Sequence, residues 1–236
     1  MEQKNLNRHT FNIDNKKIAI YPCADANRPI IYLNTVEEEE SRLYHMLCCA
    51  CCSDFTLVTI SGLNWEHDMS PWDIPPISKG AAPCTGGADA YLQLLIDEIV
   101  PKTEKCIQAV PAWRGLAGYS LAGLFAIYSL YQTTLFSRAA AMSASLWFPN
   151  FKEYLFSHEI MRTPDYLYFS LGNKECRTRN PYLRTVQDNT EEIEAFFRQK
   201  GVNTIFEIHP GNHFDNAVER TAAGILWLLT STTNIK

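Results

Sequence analysis

Short apolar runs alternate with longer amphipathic stretches along most of this chain, and this alternation restricts its possible folds more than any other feature. The runs at residues 55–60 and 166–171 have the length and the β-branched or aromatic content of buried strands. An amphipathic stretch between two such runs is typical of a helix that crosses between parallel strands. The sequence therefore predicts an α/β class, with a mostly parallel central sheet and helices on both faces.

The predicted elements follow from this periodicity. Strands are predicted at residues 17–21, 29–33, 55–60, 139–143, 166–171 and 204–208, with another ending just before residue 118. Helices are predicted at residues 41–51, 89–99, 124–131 and 217–229. Pro101 is expected to end the second of these helices. Residues 61–87 are rich in Pro, Gly and Trp, which is typical of a long loop that lines a binding site.

Length and composition predict a globular protein with one domain. The chain has 236 residues, of which 46% are hydrophobic and 20% charged, which is enough for a sizeable core. We expect a single α/β domain over residues 1–236. The net charge of −5 leaves no basic stripe to neutralise phosphates, so nucleic acid is not an expected partner.

The amino terminus and the cysteines predict a cytoplasmic location. Residues 1–8 lack the apolar core of a signal peptide, and no apolar run approaches the roughly 18 residues of a membrane span. Four of the eight cysteines, Cys48, Cys49, Cys51 and Cys52, are crowded together without the two-residue spacers of a metal site. We expect small buried thiols in a reducing compartment and no bound metal, and leave the role of this cluster open.

A turn of small residues, GYSLAG at residues 118–123, lies between a predicted strand and a predicted helix. A nucleophile elbow requires this context and carries its serine at the tip. Gly118 and Ala122 suit so tight a turn, because larger side chains would collide with the neighbouring strand and helix. We therefore predict that Ser120 is the nucleophile and that the backbone N–H of Leu121 is one donor of an oxyanion hole.

A general base is expected near the carboxyl end of the chain. His213 lies in the loop PGNHF at residues 210–214, which has the reach and backbone freedom to bring an imidazole to Ser120. His209 directly follows the predicted strand and is the weaker alternative. Neutral imidazole accepts the serine proton during attack and returns it to the leaving alcohol.

The acid that orients this imidazole is expected after the strand at residues 166–171. Glu175 is the first carboxylate there, and we predict that it is the third member of the site. Asp188 and Asp215 stay open as alternative acids, as does a serine–histidine pair without an acid.

The pocket around these groups is predicted from the loops. The backbone N–H of Val36, after the strand at residues 29–33, is the second expected oxyanion donor. Trp65, Trp72 and Trp147, with Tyr119 beside the nucleophile, are expected to offer flat apolar walls to a substrate.

Three of these segments together resemble a known family. The turn at residues 118–123, LGNKE at 171–175 and GNH at 211–213 resemble the Putative esterase branch of the α/β-hydrolase superfamily, which includes siderophore (enterochelin-type) esterases and S-formylglutathione hydrolases. Residues 64–72 and 86–92 resemble the loop and helix ahead of the elbow, so the likeness covers most of the chain.

The resemblance implies an α/β-hydrolase fold with a Ser-His-acid site at Ser120, His213 and Glu175, and neither metal nor diffusible cofactor. A siderophore esterase would present cationic side chains to catecholate groups, a role open to Arg177 and Arg179. The predicted function is cleavage of a carboxylic ester, siderophore-type or small acyl, through an acyl-enzyme. An acyltransferase using the same serine and a non-catalytic binding protein are alternatives, and the sequence does not indicate the oligomeric state.

Overall fold

The computed structural model describes residues 8–25, 27–36, 40–50, 54–108 and 110–231. The strands of this part are β1 (His9–Ile13), β2 (Lys16–Tyr21), β3 (Ile30–Asn34), β4 (Thr56–Ser61), β5 (Asp73–Ile74), β6 (Cys84–Thr85), β7 (Arg114–Tyr119), β8 (Arg138–Met142), β9 (Tyr166–Gly172) and β10 (Asn203–His209). The α-helices are α1 (Glu40–Cys49), α2 (Trp65–Asp68), α3 (Ala88–Leu94), α4 (Val100–Ile107), α5 (Leu121–Ser129), α6 (Phe151–Ser157), α7 (Val186–Gln199) and α8 (Ala217–Thr230).

Eight strands form one sheet in the order β1-β2-β4-β3-β7-β8-β9-β10. The pairs β1–β2 and β2–β4 are antiparallel, and every following pair is parallel. This topology confirms the predicted mostly parallel sheet. Parallel strands place their carboxyl ends at a common edge, and loops at that edge of an open α/β sheet carry the ligand sites. Asn34 of β3 pairs with Gly118 of β7, which pairs in turn with Ala141 of β8 at this edge.

Helices cover both faces of the sheet, as predicted. Side chains alternate between the faces along each strand because the strand period is two. Ile31 and Leu33 belong to the core cluster that contains residues of α1 and α8. Tyr32 belongs to the other cluster, which contains residues of α3 to α7. The parallel strands β3, β4, β8 and β9 are consequently buried throughout, which explains their nearly continuous apolar sequences, whereas the edge strand β10 is only partly buried.

The six strands predicted with both bounds lie within one residue of their observed bounds, and the strand expected to end just before residue 118 extends to Tyr119. The final helix is one residue longer than predicted. The helix predicted at residues 124–131 begins earlier, at Leu121, because the elbow turns directly into it. The segment at residues 61–87 contains the short helix α2 and the two-stranded hairpin of β5 and β6.

The prediction that Pro101 ends a helix is wrong. A π-helical segment, Leu95–Ile99, joins α3 to α4, and Pro101 lies in the first turn of α4. Proline lacks an N–H and crowds the carbonyl four residues earlier, and the wider π turn accommodates both defects. The helical stretch therefore continues to Ile107.

The cysteine cluster only partly falls within the described residues, since Cys51 and Cys52 lie outside them. Cys48 is half-buried and Cys49 is exposed, which corrects the prediction of buried thiols. Leu43 and Leu47 are the buried residues of α1, so the next two positions rotate away from the sheet. Across the described ranges, we find no helix with both the length and the apolar character needed to cross a membrane.

Candidate active site

Ser120 lies between the last residue of β7 and the first residue of α5, with φ 58° and ψ −124°. A positive φ is uncommon for serine and marks a strained turn. Hydrogen bonds hold the turn: Ser120 N–H donates to the Met142 carbonyl at 3.1 Å, and the Ser120 carbonyl accepts from Ser145 N–H at 3.0 Å. The backbone therefore presents the Ser120 side chain at the carboxyl edge of the sheet.

Small residues make this turn possible, as the sequence suggested. A Cβ atom at position 118 would lie 2.3 Å from the carbonyl carbon of Ala122. A Cβ at position 123 would lie 2.8 Å from the Cβ of Ala144. The first contact is with backbone, which cannot move without shifting the elbow itself.

The structure brings Ser120, His213 and Glu175 together. The Ser120 Oγ and His213 Nε2 atoms are 3.1 Å apart, and His213 Nδ1 is 2.8 Å from Glu175 Oε2. Both distances are within hydrogen-bonding range, and the imidazole connects a hydroxyl to a carboxylate through its two nitrogens. This arrangement can transfer a proton from the hydroxyl to the imidazole and stabilise the resulting imidazolium.

Glu175 is held as a carboxylate in a nearly closed environment. Its side chain is 4% exposed, and Oε1 accepts from Gly172 N–H at 2.6 Å and from Ser143 Oγ at 2.8 Å. Burial alone would raise the pKa of Glu175, but the hydrogen bonds from His213, Gly172 and Ser143 outweigh burial and lower the pKa below its ordinary value. The carboxylate thus stays charged and able to orient the imidazole.

Arg220 of α8 completes the surroundings of Glu175, and sequence analysis did not identify it. Its side chain is 1% exposed. Nη1 donates to Glu175 Oε1 and to Ser143 Oγ, both at 3.0 Å, and Nη2 donates to the Asn212 carbonyl at 3.0 Å. The arginine shares a stripe of α8 with Gly224, four residues later. A charged side chain on this otherwise apolar stripe was the sequence signal that could have identified Arg220 as a site residue.

Tyr119, the last residue of β7, links that strand to the loop that carries His213. Its hydroxyl donates to the His213 carbonyl at 2.7 Å and accepts from Arg220 Nη1 at 3.2 Å. Burial raises the pKa of Tyr119, which keeps this hydroxyl protonated as a donor. The structure therefore places Tyr119 beside His213 as well as on the wall of the cavity next to Ser120.

The alternative base and acids lie elsewhere. His209 Nε2 is 3.2 Å from the hydroxyl of Tyr168, and burial lowers the pKa of His209 although Glu207 opposes that effect. Asp215 accepts a hydrogen bond from Asn212 N–H at 2.8 Å, and Asp188 is exposed on α7. Among the residues that the structure describes, no group of three or more His, Cys, Asp or Glu is placed to hold a metal ion.

The two predicted oxyanion donors both lie close to the nucleophile in the fold. Leu121 is the first residue of α5, where a backbone N–H has no partner within the helix. Val36 follows β3 and lies on the wall of the same cavity as Ser120, with 58% of its surface exposed. The preceding N–H, of Thr35, already donates to the Ile60 carbonyl at 3.0 Å.

Two cavities adjoin the Ser120 and His213 side chains. The larger, of about 380 Å³, includes Trp65 and Tyr119 in its wall. The smaller, of about 250 Å³, includes Trp147. These three aromatic residues therefore lie on cavity walls beside the candidate nucleophile.

Three other candidate substrate contacts from the sequence are not brought to these cavities. Trp72 packs against Phe148, its ring centroid 5.7 Å away, and its indole N–H donates to the Pro149 carbonyl at 3.1 Å. Arg177 and Arg179 are exposed and line neither cavity. A hydrated guanidinium on a surface loop avoids the cost of burial without a partner, which explains their outward position.

Comparison with known proteins identifies the family. The family model described as "Putative esterase" matches residues 50–223, well over half of the chain. The chain belongs to this esterase family. Membership makes it a carboxylic ester hydrolase. The comparison with curated protein sequences returned no match.

Solved structures similar to this esterase have the same fold. The siderophore hydrolase EstB from Aspergillus nidulans is 17% identical with a TM-score of 0.73, and the alignment covers 94% of this chain and 95% of that one. An IroE-like serine hydrolase from Shewanella oneidensis is 18% identical with a TM-score of 0.72, covering 91% and 75%. The enterobactin and salmochelin hydrolase IroE is 18% identical with a TM-score of 0.67, covering 94% and 92%. At such identities the likeness establishes the α/β-hydrolase fold.

Proposed function

We propose that this esterase is a serine hydrolase that acts through an acyl-enzyme, with Ser120 as nucleophile, His213 as general base and Glu175 as the orienting acid. The observation that carries the proposal is the unbroken hydrogen-bonded series from Ser120 Oγ through His213 to Glu175, with distances of 3.1 and 2.8 Å. A serine activated by an adjacent imidazole, itself oriented by a third group, is the arrangement that nucleophilic catalysis requires.

In the proposed mechanism, Ser120 Oγ attacks the ester carbonyl carbon while His213 Nε2 accepts the hydroxyl proton. The carbonyl oxygen becomes an oxyanion that the N–H groups of Leu121 and Val36 stabilise. The C–O bond to the alcohol then breaks, and His213 returns the proton to the leaving oxygen. Water, deprotonated by His213, attacks the acyl-serine ester, and the carboxylic acid leaves as Ser120 regains its proton.

The substrate is proposed to be a small-molecule ester, siderophore-type or a simple acyl ester. The names of the similar solved structures include a siderophore hydrolase and an enterobactin and salmochelin hydrolase, which supports the first class. The apolar cavities beside Ser120 support the second.

Labelling by a fluorophosphonate probe tests the proposed nucleophile directly. We expect one adduct per chain, located on Ser120 by peptide mass spectrometry, and no adduct in Ser120→Ala. Ser145→Ala is the matched control, because Ser145 Oγ lies only 3.4 Å from Ser120 Oγ and has no imidazole partner among the described residues. The control should still label. An adduct that persists in folded Ser120→Ala, or no adduct in folded wild-type protein, would contradict the proposal.

A further inference from the structure

The two cavities beside the nucleophile adjoin each other. They share three lining residues, Ser120, His213 and Phe214, and otherwise have separate walls. A carbonyl carbon bonded to Ser120 would therefore have one cavity on each side. The two groups of an ester, acyl and alcohol, extend in different directions from that carbon.

The walls of both cavities are mainly apolar. Leu33, Leu43 and Val218 line the larger cavity, and Leu183 and Val186 line the smaller one. Apolar groups of a ligand gain free energy when they leave water for such surroundings, in proportion to the area they bury. Each cavity is thus suited to a hydrocarbon group.

The described residues on the cavity walls offer no cation to an anionic ligand. Among the described residues that line them, Glu40 and Glu175 carry carboxylates, and neither Lys nor Arg is present. An anionic ligand group would lose its hydration there without gaining a cationic partner, because Arg8 and Arg220 are already paired with Glu40 and Glu175. Uncharged groups escape this cost.

Phe214 marks the entrance between the cavities. It is 86% exposed, and its ring lies edge-on to the His213 ring with centroids 5.1 Å apart. An exposed phenylalanine at the rim of a catalytic cleft offers apolar surface to an incoming ligand.

We propose that the substrate is an uncharged ester with apolar groups on both sides of the carbonyl, one group in each cavity. This inference rests on the proposed function, since it takes Ser120 as the nucleophile. It narrows the substrate class by disfavouring esters whose acyl or alcohol groups are anionic, catecholates among them.

The charge part of the inference is tested with purified protein and two esters of matched chain length. Ethyl hexanoate is uncharged, whereas monoethyl adipate carries a carboxylate at the end of its acyl chain. We expect kcat/KM for monoethyl adipate to be at least about tenfold lower. Equal rates, or a preference for the adipate ester, would overturn the inference.

The two-cavity part is tested by filling each cavity in turn. Ala217, half-buried at the start of α8, lines only the larger cavity, and half-buried Leu183 lines only the smaller. Ethyl hexanoate has a long acyl group and hexyl acetate a long alcohol group. We expect Ala217→Trp to slow cleavage of one of these two esters by about tenfold or more, and Leu183→Trp to slow cleavage of the other by a similar factor. If both variants slow both esters alike, or neither slows either, separate cavities for the two groups are excluded.

Ethyl acetate separates failure of this inference from failure of the proposed function. Its small groups fill neither cavity, so wild-type protein should cleave it and label with fluorophosphonate whether or not the two cavities take apolar groups. Cleavage of ethyl acetate without discrimination among the longer esters would overturn only the substrate class. Absence of both cleavage and labelling in folded wild-type protein would overturn the proposed function.

Discussion

At the scale of single residues, the Ser120 hydroxyl and the His213 imidazole act as one unit in the proposed mechanism. Removing either group leaves the other without a partner for proton transfer. We therefore expect Ser120→Ala and His213→Ala each to lower kcat by roughly 10⁴–10⁶-fold, and the double variant to lose little more. Steady-state kinetics on one ester tests this. Additive losses in the double variant would show that the two side chains act independently.

Glu175 makes the stability of the folded protein depend on pH in the acid range. Its hydrogen bonds lower its pKa in the folded protein below the ordinary value of 4.5. A group whose pKa falls on folding contributes stability that is fully present above the unfolded pKa and is lost as pH falls through the folded pKa. Wild-type protein should therefore lose stability more steeply than Glu175→Gln below about pH 5.

Urea unfolding of both proteins between pH 7 and pH 3 measures this difference. The advantage of wild type over Glu175→Gln should be constant near neutrality and should shrink on acidification. An advantage that grows as pH falls would mean that the pKa of Glu175 is raised on folding, contrary to its hydrogen bonding.

At the scale of elements, β7 and α5 approach so closely at the elbow that Gly118 has no room for a side chain. A Cβ there would meet the backbone of Ala122 at 2.3 Å, so Gly118→Ala should destabilise the protein by about 1–3 kcal/mol. It should also slow fluorophosphonate labelling of Ser120. Gly115→Ala, on the same strand, is the matched control, since its Cβ would first meet the far end of the Ile31 side chain and not backbone. Equal effects of the two variants would contradict this account.

The bounds of the strands were predicted best from the sequence, because burial on both faces makes the inner parallel strands continuously apolar. It failed at Pro101, where a π segment absorbs a defect that usually ends a helix. The elbow and the histidine loop carry local signatures, so Ser120 and His213 could be proposed from sequence. Trp72 and Arg220 could not be placed, because their partners, Phe148 and Glu175, are distant in sequence and meet only after the sheet forms.

At the scale of the whole molecule, one buried side chain joins three segments that converge at the carboxyl edge of the sheet. Arg220 of α8 bonds to Glu175 in the loop after β9, to Tyr119 at the end of β7, and to the Pro210 and Asn212 carbonyls after β10. The position of the imidazole thus depends on packing of the last helix. Position 172, beside Arg220, requires glycine, since a Cβ atom there would lie 2.8 Å from Arg220 Nη2.

Arg220→Met removes these donors and leaves the Glu175 carboxylate buried without its guanidinium, so we expect a loss of about 3–5 kcal/mol in the free energy of unfolding. Adding Glu175→Gln to this variant removes the unpaired buried charge and should restore part of the lost free energy of unfolding.

Arg220→Lys keeps the positive charge, but the lysine ammonium cannot reach all the acceptors that the forked guanidinium bonds. Its kcat should fall, and the fall should be smaller in a Glu175→Gln background, where there is no carboxylate left to position. Urea unfolding and kcat, measured on wild type, on the three single variants and on the two double variants, test this coupling. A merely structural Arg220 would not produce it, because the effect of the Arg220 substitution on kcat would be the same in both backgrounds.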